Sequence, residues 1–175
     1  QKEQAIWISS KIQLEKKSIL EIGGGSGYFM NHIKAKKRII YEPSMESKNI
    51  PKDIQVYNKY FNPNIDKIEG QVIVMRQVLE HINQPFLFLN EIIENSLFNH
   101  GYIYIEVPSY DQSRCQDRFY DFYYEHCNYF SLNSLARIAK ILKVNIISLE
   151  SHFNNELNIC LIEYDKNITS ENDFL

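Results

Sequence analysis

Four of the chain's six glycines fall within the five residues Gly23–Gly27, and this loop constrains the fold more than any other feature. It follows the short apolar run Ser18–Ile22 and precedes a segment with Phe29, Met30 and Ile33 at helical spacing. Because glycine lacks a Cβ atom, such a loop lets the backbone approach a ligand closely, and the following helix offers free N–H groups. The sequence therefore predicts a strand, a ligand-binding turn and a helix in succession.

Strand-like and helix-like patterns alternate from the glycine loop to residue 107, which is typical of βαβ units around a parallel sheet. Two strand patterns then follow the last helix without room for a crossover helix, so they must pair antiparallel or lie apart. We therefore predict an α/β fold with a doubly wound, mostly parallel sheet and an antiparallel strand near its edge. The predicted strands are Ser18–Ile22, Arg38–Tyr41, Ile54–Tyr60, Gln71–Met75, Tyr102–Val107, Val144–Leu149 and Leu157–Tyr164, and the predicted helices span 3–16, 26–36, 85–97 and 131–142.

The length of 175 residues predicts a single domain over residues 1–165, followed by a polar tail at 166–175. The net charge of −3 argues against a dedicated nucleic-acid-binding protein, which usually carries an excess of basic residues. The three cysteines lack CxxC spacing, so they indicate neither a disulfide framework nor a zinc site, and they suit a reducing cytoplasm. The apolar runs are too short for a membrane span, and no signal peptide is recognisable.

The spacing of the glycines narrows the choice of ligand. A dinucleotide fingerprint requires G-x-G-x-x-G, but Tyr28 occupies the third position, and the loop instead has E-x-G-x-G-x-G from Glu21 to Gly27. Glu42 ends the next predicted strand, about 20 residues after the first glycine, where a carboxylate can accept hydrogen bonds from ribose hydroxyls. Both nicotinamide cofactors and S-adenosylmethionine carry an adenosine ribose, so Glu42 does not separate them.

A second motif favours one of these cofactors. Residues 72–82, VIVMRQVLEHI, run from a buried strand pattern into V-L-E-H-I. The glycine loop, Glu42 and this motif, in that order, resemble the class I S-adenosylmethionine-dependent methyltransferases over about residues 5–165. The resemblance implies a Rossmann-like, seven-stranded sheet with helices on both faces. It also implies an enzyme that uses S-adenosylmethionine as methyl donor and releases S-adenosylhomocysteine.

The resemblance also assigns roles to the residues of these motifs. The loop around the methionine end of the donor would be shaped by Glu21, Gly23, Gly24, Gly25 and Gly27. The ribose would be held by Glu42, the adenine would lie beside Pro43, and the sulfonium and amino-acid group would lie near Gln77 and Val78. A further contact with adenine is expected after the third strand, where Asn62 and Asn64 are candidates.

An unusually aromatic insertion follows the fifth predicted strand, at residues 108–130. Eight of residues 110–130 are aromatic, a much larger share than the 13% of the whole chain. Loops of this length are usually functional or disordered, and this one is too aromatic for disorder. It leaves the carboxyl end of a strand, where ligands bind in open α/β sheets. We therefore expect either a packing cap over the sheet or a substrate-side element, and the two roles are compatible.

Within the insertion, residues 123–131 (YYEHCNYFS) resemble the Y-x-E-H-x-x-Y-F-S segment of bacterial methyltransferases of the sugar C-methyltransferase type. The resemblance implies that Tyr123, Glu125 and His126 line the substrate pocket, with His126 as a candidate base. The VLEHI motif supplies His81 as a second candidate. The chain holds no counterpart of that group's zinc-binding domain, so we expect no metal ligands.

Histidine suits proton removal from a hydroxyl or an enolisable carbon because its pKa lies near neutrality, and a nearby carboxylate can orient its ring. The leading hypothesis is a cytoplasmic methyltransferase acting on a small polar acceptor, such as a sugar, a sugar nucleotide or another surface-glycan precursor. Transfer to oxygen, nitrogen and carbon all remain open. The alternatives are an NAD(P)-dependent oxidoreductase on a similar fold and a non-catalytic, methyltransferase-like binding module.

Overall fold

The computed structural model describes residues 1–44 and 50–169. The strands are β1 (Ser18–Ile22), β2 (Lys37–Tyr41), β3 (Gln55–Tyr57), β4 (Val72–Arg76), β5 (His100–Pro108), β6 (Asn145–His152) and β7 (Leu157–Asp165). The helices are α1 (Lys2–Lys11), α2 (Tyr28–Asn31), α3 (Pro85–Asn95), α4 (Tyr110–Cys115), α5 (Leu132–Ile141) and α6 (Lys166–Thr169). Short 3-10 turns lie at Leu79–His81 and Phe119–Asp121.

One seven-stranded sheet has the order β3-β2-β1-β4-β5-β7-β6. The first five of these strands pair in parallel, whereas β7 runs antiparallel to both of its neighbours, β5 and β6. The predicted doubly wound sheet with an antiparallel strand near its edge is confirmed. The chain winds outward from β1 to β3 and then crosses back to β4, so the carboxyl ends of β1 and β4 border a crevice of the kind that binds ligands.

The central strands are apolar on both faces because helices cover both faces. On one face, Leu20 and Ile73 belong to a core cluster that includes residues of α3 and α5. On the other face, Ile19 and Val74 belong to a cluster that includes residues of α1 and α2. The predicted helices on both faces are therefore confirmed.

The largest error of the sequence-based boundaries lies after the glycine loop, where the predicted helix 26–36 is the single turn Tyr28–Asn31. The guanidinium of Arg38 donates hydrogen bonds to the carbonyl oxygens of Met30 and Ile33, at 3.2 and 3.4 Å. These bonds satisfy carbonyl groups that a longer helix would have used, and the chain turns directly into β2. Sequence periodicity does not reveal such a cap, because its donor belongs to the following strand.

Two other elements are shorter than predicted. Helix α1 ends at Lys11 rather than at residue 16, since Ile12 already has an extended backbone with φ of −132°. Strand β3 ends at Tyr57 rather than at residue 60, and the N–H of Lys59 bonds back to the carbonyl oxygen of Tyr57. The other predicted strands and helices lie within three residues of their observed ends.

The insertion at 108–130 is anchored at its base, formed by Ser109 and Phe130, and exposed at its tip, which holds Phe119 and Tyr124. Phe130 is buried, forms a bridge with Ser109, and accepts a hydrogen bond on its carbonyl oxygen from the Asn158 side chain at 3.0 Å. In contrast, Phe119 is 81% exposed and Tyr124 is fully exposed. The tip therefore does not pack as a cap over the sheet.

The predicted polar tail begins as α6, where Lys166 donates its backbone N–H to the carbonyl oxygen of Asn99 at 2.8 Å. Its last part, 170–175, lies outside the described residues. Among the described helices, none has the length and apolar character needed to cross a membrane.

Candidate active site

The glycine loop forms a backbone cradle at the carboxyl end of β1. Gly23, Gly25 and Gly27 have φ of 70°, 53° and 72°, in the left-handed region that L side chains rarely adopt. At Gly23 a Cβ atom would also lie 2.6 Å from Cγ2 of Val78. The Gly23 N–H donates to the carbonyl oxygen of Tyr41 at 2.9 Å, which ties the loop to the end of β2. Glycine is thus required at this position by both conformation and space.

Glu42 lies against this cradle and is only 7% exposed. Its Oε2 accepts a hydrogen bond from the Gly25 N–H at 2.6 Å, and its Oε1 accepts one from the Ser44 N–H at 2.8 Å. A carboxylate has about four acceptor positions, so two remain for hydroxyl donors. Glu42 therefore fixes the loop and keeps the capacity to bind a ribose.

A cavity of about 500 Å³ lies between the glycine loop and the turn after β4. This volume is within the usual range for sites that bind small molecules. Of the residues predicted for the site, Gly23, Glu42, Pro43, Gln77, Val78 and His81 line the cavity. The rest of its wall is apolar and aromatic and consists of Ile22, Tyr41, Tyr60, Phe61, Ile82 and Phe88.

Sequence reasoning missed the aromatic wall. Tyr60 is the last residue of the predicted third strand, and Phe61 follows it. Phe61 packs edge-on against Phe88 with ring centroids 6.2 Å apart. Asn62 and Asn64 are not among the cavity-lining residues, and the N–H of Asn64 donates to Oδ1 of Asn62 at 2.9 Å. The three aromatic residues within 57–61 were the available signal, but the segment up to Tyr60 was interpreted as a strand.

Glu21 lies beneath the loop instead of in the cavity wall, and its side chain is fully buried. Its Oε1 is 3.3 Å from Nη1 of Arg76, and Nε of Arg76 is 3.5 Å from Oε1 of Glu106. Burial raises the pKa of Glu21 to about 8, against the lowering effect of Arg76. Glu21 therefore belongs to a buried polar cluster that supports the floor of the loop.

Gln77 occupies a strained position where β4 ends. Its φ is 54°, which is uncommon for a residue with a side chain, and its N–H donates to the carbonyl oxygen of Glu106 at 2.9 Å. Such strain persists where the surrounding structure fixes it, often at functional sites. It directs the chain past Val78, which contacts the glycine loop, into the turn that carries His81.

His81 connects the cavity to the aromatic insertion. Its Nδ1 lies 2.9 Å from the carbonyl oxygen of Glu125, and since a carbonyl only accepts, Nδ1 is the donor and Nε2 keeps the lone pair. Asn128 adds two hydrogen bonds. Its backbone N–H donates to the carbonyl oxygen of Glu80 at 3.1 Å, and its side-chain amide donates to the carbonyl oxygen of Ile82 at 2.7 Å. These bonds hold the insertion against the turn after β4.

His126 lies beside His81, with ring centroids 4.8 Å apart, and its ring is 5.2 Å from that of Tyr123. Burial and the neighbouring His81 lower the pKa of His126, which favours its neutral imidazole. The structure thus brings together His81, His126 and Tyr123. Glu125 contributes its carbonyl oxygen rather than its exposed carboxylate, and the ring that it orients is that of His81.

Comparison with known proteins identifies the family. A family model described as a methyltransferase domain matches residues 7–148, which include the glycine loop, Glu42 and the insertion. The chain belongs to this methyltransferase family. No curated protein sequence matches the chain.

Solved structures of other methyltransferases share the fold. A putative methyltransferase of Haloferax volcanii, in complex with the Trm112 activator, has 11% identity and a TM-score of 0.71 over 90% of this chain and 87% of its own. A methyltransferase from Aquifex aeolicus has 11% identity and a TM-score of 0.64 over 93% of this chain and 88% of its own. A plantazolicin methyltransferase in complex with a triazolic desmethylPZN analogue and S-adenosylhomocysteine has 15% identity and a TM-score of 0.67 over 93% of this chain and 83% of its own. At these identities the likeness shows the Rossmann-like fold alone.

The acidic residue next to His81 in the sequence, Glu80, was given no role in the sequence analysis. Glu80 is 2% exposed, and in the part of the chain that the structure describes neither of its carboxylate oxygens has a hydrogen-bond partner. Burial raises the pKa of Glu80 to about 7. One of its oxygens and a ring nitrogen each of His81 and His126 all lie within 4.8 Å of one another. This grouping depends on how the insertion folds back, which the sequence pattern does not encode.

Proposed function

We propose that this methyltransferase binds S-adenosylmethionine in the 500 Å³ cavity and methylates a small polar acceptor held between the cavity and the insertion. The acceptor is a sugar, a sugar nucleotide or another surface-glycan precursor. The observation that carries the proposal is the position of His81, which lines the cavity and is held by the carbonyl oxygen of Glu125 in the insertion. The donor site and the segment that resembles sugar methyltransferases therefore adjoin.

The residues of the cavity fit the chemistry of this donor. The carboxylate of Glu42 can accept hydrogen bonds from the ribose hydroxyls, and the rings of Tyr60 and Phe61 offer an apolar surface to the adenine. Gly23 carries no side chain, so its backbone would let the methionine end lie close. When bound, S-adenosylmethionine supplies an electrophilic methyl group on a sulfonium centre.

On the acceptor side, this chain must hold the nucleophile in line with the methyl group and take up its proton, and positioning alone accelerates such a reaction strongly. In the metal-free protein, the neutral imidazole of His126 accepts the proton of the acceptor, and Nε2 of His81 is the second candidate. The face of Tyr123 beside His126 suits an acceptor with both apolar faces and hydroxyl groups.

The alternatives predict different ligands. Tyr28 replaces the third glycine of the dinucleotide motif G-x-G-x-x-G, and the chain belongs to the methyltransferase family. Both observations favour a methyl donor over a nicotinamide cofactor. A non-catalytic binding module would keep the donor site and lack turnover. The plantazolicin methyltransferase structure contains a triazolic desmethylPZN analogue, so the fold also accommodates ligands other than sugars.

The test is an acceptor screen with S-adenosylmethionine carrying a labelled methyl group. The panel contains free sugars, sugar nucleotides, small amines and short peptides. We expect label in the sugar or sugar-nucleotide group. Transfer to amines or peptides alone would contradict the acceptor class while keeping the methyltransferase assignment. Donor binding without transfer to any member of the panel would favour the binding module.

A further inference from the structure

Three side chains of a kind that binds metal ions come together where the cavity meets the insertion. Glu80 and His81 are neighbours on the 3-10 turn after β4, whereas His126 comes from the insertion. A carboxylate oxygen of Glu80 and a ring nitrogen of each histidine lie within 4.8 Å of one another. The Asn128 N–H donates to the Glu80 carbonyl oxygen and the His81 ring donates to the Glu125 carbonyl oxygen, which holds the two segments in this arrangement.

The environment of Glu80 is the second observation. Its side chain is buried, yet among the described residues neither carboxylate oxygen receives a hydrogen bond. A buried charged group without a partner is costly, and buried polar groups in folded proteins nearly always have one. The Arg76 guanidinium pairs instead with Glu21 and Glu106. A cation between Glu80 and the two imidazoles would supply the missing partner.

The hydrogen bonding of His81 fits metal ligation. Its Nδ1–H donates to the Glu125 carbonyl oxygen at 2.9 Å, which leaves the lone pair on Nε2. Histidine ligands of metals usually donate their other ring N–H to a carbonyl or carboxylate, which fixes the tautomer and the orientation of the ring. Glu125 therefore has a physical role beside His81 without contributing its carboxylate.

We propose that Glu80, His81 and His126 form a binding site for a divalent transition-metal ion. Two imidazoles and one carboxylate are ligands that suit Zn²⁺, Fe²⁺, Mn²⁺ or Co²⁺, and three protein ligands leave a position open. Metal–ligand bonds of about 2.0–2.2 Å require the three side chains to close around the ion. His126 is half-buried, so its ring has room to turn toward an ion while His81 keeps its bond to the Glu125 carbonyl oxygen.

The consequence for catalysis rests on the proposed function. With an ion bound, the histidines are ligands rather than bases, and the open position takes the acceptor hydroxyl. The bound hydroxyl releases its proton to solvent more readily, because the ion lowers its pKa. Its oxygen then forms the bond to the methyl carbon while the carbon–sulfur bond breaks, and the sulfonium becomes a neutral thioether.

The test begins with metal binding, which needs no acceptor. Tag-free protein is freed of metal with a chelator and titrated calorimetrically with ZnCl₂, and CoCl₂ titrations are followed by visible absorption. We expect one ion per chain with micromolar affinity. Glu80→Gln, His81→Ala and His126→Ala should each weaken binding by at least about 10-fold. The matched controls Glu91→Gln and His32→Ala should bind as the wild type does. Circular dichroism verifies that each variant is folded.

Failure of this inference and failure of the proposed function give different results. Zinc binding that is absent, or that persists unchanged in Glu80→Gln and His126→Ala, overturns the metal site. Methyl transfer that survives chelation but is lost in His126→Ala overturns the role of the ion in catalysis and leaves His126 as the base. A protein that binds zinc as expected but does not bind S-adenosylmethionine contradicts the proposed function instead.

Discussion

The donor side and the acceptor side of the proposed active site are built in different ways. The proposed donor side depends mainly on backbone, namely left-handed glycines and their N–H groups, which the buried carboxylate of Glu42 holds through its bonds to Gly25 and Ser44. The acceptor side consists of side chains on a 3-10 turn and on an insertion whose tip is exposed. The donor side is therefore specified by a short stretch of sequence, whereas the acceptor side depends on contacts between distant segments.

This difference has a functional reason. A methyltransferase family shares its donor, so a rigid backbone cradle suits every member. Acceptors differ, and loops at the carboxyl ends of strands can change without disturbing the sheet. Substitutions on the donor side should therefore affect donor binding and stability, and substitutions on the acceptor side should affect turnover. The predictions below separate these effects.

The largest expected effect is on turnover. His126→Ala should reduce methyl transfer by roughly 100- to 10,000-fold, the usual contribution of a group that activates a nucleophile. The donor dissociation constant should stay unchanged, because His126 does not line the donor cavity. Steady-state kinetics and calorimetry measure the two quantities, with His32→Ala as the control. Unchanged turnover would remove His126 from the mechanism.

Gly23→Ala should disrupt the donor side and lower stability. A left-handed backbone costs a residue with a Cβ roughly 1–2 kcal/mol, and the contact with Val78 adds roughly 1–3 kcal/mol. Urea unfolding and donor titration should both show the loss. Ser26→Ala, in the same loop, is the matched control and should leave both unchanged. A fully stable Gly23→Ala protein that binds the donor would refute the backbone-cradle description.

Glu42→Gln should weaken donor binding by roughly 10- to 100-fold. The physical reason is the loss of hydrogen bonds to a charged acceptor, each of which contributes about 1.5–3 kcal/mol. The turnover number at saturating donor should change far less than the affinity. Calorimetric titration measures the affinity, and Glu91→Gln on α3 serves as the control. Equal affinity in Glu42→Gln would show that the ribose is held elsewhere.

The buried carboxyl groups predict a pH dependence of stability. Burial raises the pKa of Glu21 from 4.5 to about 8, so the folded state retains a proton that the unfolded state releases. The stabilisation from that proton is complete below 4.5 and disappears as the pH rises to about 8. Glu80, with its pKa raised to about 7, acts in the same direction. The wild-type protein should lose stability across this range.

Glu21→Gln isolates this contribution, because an amide keeps the acceptor for Arg76 and has no proton to release. Urea unfolding at several pH values should show a smaller loss of stability for Glu21→Gln than for the wild type. The Glu91→Gln control should follow the wild type. Parallel curves for wild type and Glu21→Gln would indicate that the carboxyl group titrates normally.

The smallest expected effect concerns the tip of the insertion. Tyr124 is fully exposed, so Tyr124→Ala should leave the free energy of unfolding unchanged. Phe130→Ala, at the buried base of the insertion, should lower it and provides the contrast. A destabilised Tyr124→Ala protein would mean that the tip packs against the body of the protein after all.

Much of the fold was predictable because its signals are local. Apolar strand patterns, the glycine loop and the spacing to Glu42 all act within about 20 residues, and they gave the strands and the donor side. The short α2 was not predictable, because it ends at carbonyl oxygens that Arg38, in the next strand, satisfies. The aromatic wall was missed because Tyr60 and Phe61 follow an edge strand of only three residues.

The acceptor side was predictable only as separate motifs. The segments 78–82 and 123–131 were each recognised, but nothing local indicates that the Glu125 carbonyl bonds to the His81 ring. The position of Glu80 depends on the same long-range contact. The sequence cannot distinguish a buried, unpartnered carboxylate from a solvated one. The role proposed for Glu80 could therefore be inferred only from the structure.

The central claim is that the cavity beside the glycine loop binds a methyl donor. The most direct test is calorimetric titration of the protein with S-adenosylmethionine, S-adenosylhomocysteine and NADH in parallel. We predict micromolar binding, about −8 kcal/mol, for the two adenosyl sulfur compounds and none for NADH. Binding of NADH alone, or of none of the three, would contradict the account.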